Sequence, residues 1–317
     1  MKTIDPSLFV PLSRCWICGG EAFDAYSQLC FEFSNYRDQD PGLDGLTGAV
    51  LKLTRCRECG FGQPEALPAL PRYFDRMYDQ RWSDDWVQNE FDCGYKDFIF
   101  ESILKDLCRF AGAASGRLLD VGAHVGRFLW MARQAGWACE GIELNPKTRA
   151  FAVQASGVTV HNLNAQALAD TGARYRVITL IDVLEHIPDP VQVLRSLAAL
   201  LEPGGVLAVK VPNGRMQAWK EHLRGRIRRR YRPTLADNLV HVNHFDPHSL
   251  ALALKTSGFS KVIVHPGAPE EKPPVEGVRN VLRNRLSPSF LIYALQAALP
   301  PAWSVSSSLH LQAYAFR

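Results

Sequence analysis

Four of the eight cysteines stand in two matching pairs, Cys15-Trp-Ile-Cys18-Gly19 and Cys56-Arg-Glu-Cys59-Gly60. Two thiolates three positions apart grip one face of a tetrahedral ion. The glycine that follows lets the chain turn, so that backbone N–H groups point at sulfur. Four such sulfurs make a closed zinc site, structural because no coordination position is left open. No βαβ pattern lies nearby to make either pair a redox device. Cys30, Cys93, Cys108 and Cys139 have no partner at ligand spacing and read as small core hydrophobes.

A second set of residues suits a nucleotide-like ligand. Asp120-Val-Gly122-Ala-His124-Val-Gly126 follows a short apolar run, and its glycines let backbone approach a ligand closely. About 20 positions on, Glu143 stands where a carboxylate can accept both hydroxyls of a ribose. Then come Asp182-Val-Leu-Glu185-His186. A dinucleotide-binding turn would need G-x-G-x-x-G. From Gly122 the second and third glycines are replaced by His124 and Arg127, so that reading fails. The plainer reading of Asp182 to His186 is a strand-end network that holds loops.

These residues need elements to hold them. A helix over about 96–110 carries Phe100, Leu104 and Leu107 at helical spacing. Strands are expected at 117–121, 138–144, 158–163, 177–181, 206–211, 261–264 and 309–316. Helices lie between them, and Asp189-Pro190 and Asp246-Pro247 mark two of the helix starts. Such alternation predicts an α/β, doubly wound sheet, with ligands beyond the carboxyl ends of its strands. Residues 64–71 read as a linker, and 278–299 as an amphipathic insertion that packs on the core.

On these motifs, residues 118–258 resemble class I S-adenosylmethionine (SAM)-dependent methyltransferases. The resemblance implies a Rossmann-like, seven-stranded sheet behind a small zinc-ribbon-like domain. It assigns 1–65 to the zinc module, 66–112 to linker and lid helices, and 113–317 to the transferase domain, with an insertion at about 267–307. It also implies that Asp120 and Gly122 hold the methionine part of the cofactor, Glu143 the ribose, and Asn164 the adenine. His124, Gly126 and Asp182 complete the set. Tyr73 and Tyr78 are the expected lid contacts, with interdomain packing as the plainer alternative.

Methyl transfer needs donor and acceptor held in line, and a hydroxyl acceptor also gains from a base. His186, His241 and His244 are the candidates. For His244 a helix-flanking role is equally open. Asp182-x-x-Glu185-His186 resembles a stretch of ubiquinone-pathway O-methyltransferases, which implies a carboxylate–histidine metal site. The cysteine module resembles that of deoxysugar C-methyltransferases, but of their histidine-rich stretch Asn238-Leu-Val-His241 keeps the last histidine. O-methylation of a sugar, glycan precursor or other small polar metabolite is therefore expected. C-methylation of a sugar nucleotide is one alternative. RNA methylation is another, gripped by the basic run 224–232, and a non-enzymatic cofactor-binding scaffold is the third. The chain has 317 residues, 47% hydrophobic, and a net charge of +4, too mild to demand a nucleic-acid partner. No apolar run is long enough to span a membrane and no leader is evident, so a cytoplasmic location is expected.

Overall fold

The computed structural model describes residues 6–79, 83–112, 116–227, 237–296 and 299–317. Its N-terminal part is built on two small sheets. β1 (Phe9–Pro11) pairs antiparallel with β5 (Ala66–Pro68). β2 (Phe23–Cys30), β3 (Val50–Cys56) and β4 (Gly62–Pro64) form the other, also antiparallel. The expected linker at 64–71 is thus partly strand, because residues 66–68 find backbone partners near the start of the chain. Beneath these strands lies an aromatic core of Phe31, Phe33 and Tyr73, each almost fully buried. Tyr73 packs on both phenylalanines and donates its hydroxyl hydrogen to the Asn238 carbonyl. It does not line the large cavity at the strand ends.

The larger unit is one seven-stranded sheet. Its strands are β6 (Arg117–Val121), β7 (Ala138–Ile142), β8 (Thr159–His161), β9 (Tyr175–Ile181), β10 (Leu201–Pro212), β11 (Lys261–Pro266) and β12 (His310–Phe316). Their order is β11-β12-β10-β9-β6-β7-β8, parallel from β10 to β8, with β12 antiparallel to both neighbours. Successive side chains of a strand point to opposite faces. Leu119, Ile178, Leu180, Leu207 and Val209 therefore join one core, with Leu194 and Leu197 of the helix Pro190–Leu200 and Leu250 and Leu254 of the helix Pro247–Thr256. Leu118, Val177, Val206 and Ala208 join the other, with Phe100, Ile103 and Leu107 of the helix Asp97–Ala111. The fold is α/β and Rossmann-like.

Three short helices, Val278–Arg285, Pro288–Gln296 and Pro301–Ser307, intervene between β11 and β12. Phe290 is buried on Phe98 of the helix Asp97–Ala111. Most of the other large apolar residues of this segment are exposed, against the expectation that it packs on the core. No described helix is long and apolar enough to cross a membrane.

Candidate active site

The loops after β6, β7 and β9 meet at one end of the sheet around a cavity of about 1370 Å³. That exceeds a typical small-ligand pocket of about 300–1,000 Å³, so two molecules can share it. Sequence reasoning expected the cofactor here, and five of its eight candidates line this space: Asp120, Gly122, His124, Glu143 and Asp182.

Gly122 turns the chain with φ at 77°, and a Cβ there would sit 2.4 Å from a Val183 methyl. Gly126, φ 78°, precedes the helix Arg127–Gln134, and a Cβ would press on Ala152 backbone at 2.9 Å. Both positions thus exclude a side chain for steric reasons as well as for φ. His124 adopts a left-handed φ of 52° without being glycine. Its N–H donates to Glu143 Oε2 at 2.8 Å, and its ring meets Trp86 edge-on. Burial, then Lys96 nearby, lowers that imidazole to about 4, so it is neutral.

Glu143 also accepts from the Asn145 N–H at 2.9 Å. Each carboxylate oxygen thus has one backbone donor and a lone pair to spare for a hydroxyl. Burial holds its carboxyl above the usual carboxylate range despite those two N–H bonds. Asp120 lies deeper, wholly buried, and accepts from the Thr179 hydroxyl at 2.6 Å. Burial pushes its carboxyl up to about 7.

Of two further expected cofactor contacts, one lies away from the cavity and the other is not described. Asn164 caps the helix Ala165–Asp170, accepting from the Ala167 N–H at 2.8 Å, and does not line the cavity. Asn162, two residues earlier, does. The side chain of Tyr78 lies outside the described residues, and Trp86 and Tyr95 are the aromatic cavity walls from that part of the chain.

Asp182 is at the cavity but already committed. Its carboxylate meets Lys210 Nζ at 2.5 Å and Lys96 Nζ at 3.2 Å. Burial alone would raise this carboxyl, but Lys210 and then Lys96 outweigh it and hold it well below the usual range. Glu185, also buried, is pushed up to about 8 by burial and by the Asp182 charge. Sequence reasoning missed both lysines. The signal was a lysine inside the apolar run Val206-Leu-Ala-Val-Lys210-Val, which a buried strand admits only with a partner.

Glu185, His186 and His241, which also line the cavity, bring one ligand atom each within 4.8 Å of one another. The two rings are 4.9 Å apart. His186 Nδ1 lies 2.5 Å from the Val240 carbonyl, an acceptor, so Nδ1 carries the proton and Nε2 the lone pair. Burial, then His186 and His244, lowers the His241 imidazole to about 3. The loop before His244 is held by Glu185, whose carbonyl accepts from the Val242 and Asn243 N–H groups.

His244 itself is not in the cavity. Its ring packs beside Tyr26 of β2, and its backbone bridges Gly62 of β4, donating at 2.9 Å and accepting at 3.0 Å. Burial lowers it to about 4. It belongs to the joint between the N-terminal strands and the large sheet, so it cannot reach a methyl acceptor.

Beside that joint, Cys15, Cys18, Cys56 and Cys59 bring all four sulfurs within 4.8 Å of one another. The Gly19 and Gly60 N–H groups close matching turns on the Cys15 and Cys56 carbonyls. Cys15 lies 3.5 Å from Cys59, and Cys18 the same distance from Cys56. A tetrahedral ion with sulfur at about 2.3 Å needs sulfurs about 3.8 Å apart, so the donor set fits zinc closely.

Known proteins bear on this geometry. Over 118 residues the chain is 31% identical to the ubiquinone biosynthesis O-methyltransferase of Haemophilus ducreyi, covering 34% of this chain and 50% of that protein. Its counterpart in Bordetella avium is 38% identical over 102 residues, 30% of this chain and 42% of that one. The chain thus spans about half the length of the curated relatives it matches. Among solved structures, magnesium protoporphyrin IX methyltransferase from Synechocystis with bound S-adenosylhomocysteine (SAH) aligns with a TM-score of 0.47 and 15% identity, over 77% of this chain and 93% of that one. Residues 95–264, more than half of the chain and all of the strand-end loops above, match the family described as Methyltransferase domain. The chain belongs to that family, and residues 95–264 are its methyltransferase domain.

Proposed function

We propose that the enzyme methylates an oxygen of a small polar acceptor, a sugar or glycan precursor in class. The observation that carries this reading is the shared cavity: Glu143 and Asp120 line one part of it, and the His186–His241 pair lines another. Its volume suits donor and acceptor together. The name O-methyltransferase borne by the local relatives supports oxygen as the acceptor atom. The cysteine module, by its likeness to those of deoxysugar enzymes, favours a sugar over the quinone of those names.

In this reading Glu143 binds the ribose hydroxyls, and Gly122 and Asp120 hold the methionine end, whose ammonium suits a buried carboxylate. The sulfonium makes the methyl group reactive. The acceptor oxygen attacks in line, the carbon–sulfur bond breaks, and SAH leaves. The hydroxyl proton passes to the imidazole of His241, which lines the cavity and is neutral. Lys96 and Lys210 hold Asp182 fixed, so that loop does not compete for the sulfonium.

A second reading keeps the acceptor and adds a divalent cation held by Glu185, His186 and His241. The three convergent ligand atoms favour it, and two imidazoles with one carboxylate suit a transition metal. The cation would polarise the acceptor oxygen. We also propose that Cys15, Cys18, Cys56 and Cys59 bind zinc structurally, and that the chain divides into this module, connecting helices and a transferase domain. RNA methylation rested on the basic run 224–232, which falls largely outside the described residues.

Purified enzyme with methyl-labelled SAM and a cell extract tests the proposal. Label in small, nuclease-resistant, hydroxyl-bearing molecules is the expected result. Label in large, nuclease-sensitive material overturns it. Loss of rate after dialysis against a chelator, restored by one divalent ion while the zinc content stays constant, selects the second reading.

A further inference from the structure

The three helices between β11 and β12 have an inner side that packing explains and an outer side that it does not. On the inner side, Arg285 lies over the rings of Phe98 and Phe290 at 4.1 and 4.6 Å. Buried Asn284 accepts from the Lys272 N–H at 2.9 Å. On the outer side Val278, Leu282 and Leu286 follow one another at successive turns, 77%, 54% and 68% exposed. Leu291 and Leu295 repeat the spacing on the second helix, and Trp303 of the third is 73% exposed. Scattered apolar residues on a surface need no explanation, but a run of this size on adjoining helices marks an interaction face.

The charge of the segment narrows the partner. Residues 278–307 hold three arginines and no acidic residue. Arg279 and Arg283 are exposed beside the apolar stripe. Apolar side chains flanked by arginine on short helices are the composition of segments that lie in a membrane interface. Anionic headgroups supply the matching charge. A two-fold pairing of this face with itself would instead set the arginines of one copy against those of the other. The place is also telling. Ser289, at the start of the second helix, lines the catalytic cavity, together with residues 269–272 just before the first.

We infer that the outer face of the helices Val278–Arg285 and Pro288–Gln296, together with Trp303, docks the enzyme on an anionic lipid bilayer, with the mouth of the cavity beside the headgroups. Docking does not depend on which acceptor is methylated.

The test is cosedimentation of the full chain with vesicles of phosphatidylcholine alone and of equal parts phosphatidylcholine and phosphatidylglycerol. Binding to the mixed vesicles, weakened by salt and absent with phosphatidylcholine alone, is expected. The double variant Leu286→Glu/Trp303→Glu should bind the mixed vesicles at least about tenfold more weakly, as the loss of two large interfacial apolar side chains implies. SAH affinity by calorimetry checks that it folds. Should it fail that check, Arg279→Gln, a surface change, still tests the charge: about fivefold weaker binding is expected. Three results overturn the inference: no binding to mixed vesicles, binding that neither variant weakens, or a wild-type dimer that the double variant turns into a monomer.

Discussion

The two parts of the cavity are built differently. The Glu143 part is assembled from consecutive strand-end loops, each positioned by the strand directly before it. Glu143 follows β7, and its bonds reach His124 and Asn145, both within 20 residues. The His241 part is assembled from segments far apart in sequence. His241 sits in a loop held by Glu185 from one side and by Gly62 of the N-terminal strands, through His244, from the other. Local geometry builds the proposed cofactor site, whereas only the finished tertiary structure builds the proposed acceptor site.

The largest way to break this contrast is through the remote module. Cys56→Ser should abolish zinc content by elemental analysis and greatly lower the unfolding temperature, since a structural zinc site contributes on the order of 10 kcal/mol or more to folding. Unchanged melting without metal would remove the module from the argument. Next, His241→Ala should lower kcat about 10²–10⁴-fold, the range for a lost base, with SAH affinity unchanged. An equal loss in both would mean that the two parts are not separable. Glu143→Ala should do the reverse, weakening SAH about 100-fold in calorimetry, as two hydrogen bonds to a carboxylate suggest. Affinity that barely moves would put the ribose elsewhere.

A smaller effect sharpens the Glu143 part. Asp120, raised by burial to about 7, binds the cofactor ammonium best when charged. Binding therefore favours proton release, and SAH affinity should rise severalfold as pH increases through that value, a one-unit shift being worth about 1.4 kcal/mol. Asp120→Asn should remove this rise and leave the titration of the cofactor's own amino group. The same slope in the variant would assign the proton elsewhere. Smallest of all, Asn164→Ala should cost about 1 kcal/mol of stability as a lost helix cap and leave SAH binding alone. Weaker SAH binding would return Asn164 to the cofactor.

The sequence carried the local features well. Strand ends, glycine turns and the Glu143 carboxylate were legible because each follows from residues a few positions apart. Asn164 misled because a helix cap and a ligand contact use the same side-chain type, and two residues decide between them. His244 and His241 looked equivalent in a histidine-rich loop, yet the β4 bridge turns one into the joint. Tyr73 suggested a lid, but its long-range partners Phe31 and Asn238 made it core. The segment 278–299 was misread for a related reason: apolar spacing shows which residues share a side of a helix, not what covers that side.

The bridge between Gly62 and His244 also bears on how the chain can be divided. Phe61 packs on Phe245 at 5.1 Å, immediately beside it. A shortened protein that starts after the small sheets would leave Phe245 uncovered and the backbone of His244 without its partner. The large sheet, although every one of its strands lies outside the small sheets, therefore relies on them to hold the loop that carries His241, so the two are one packing unit rather than separable pieces.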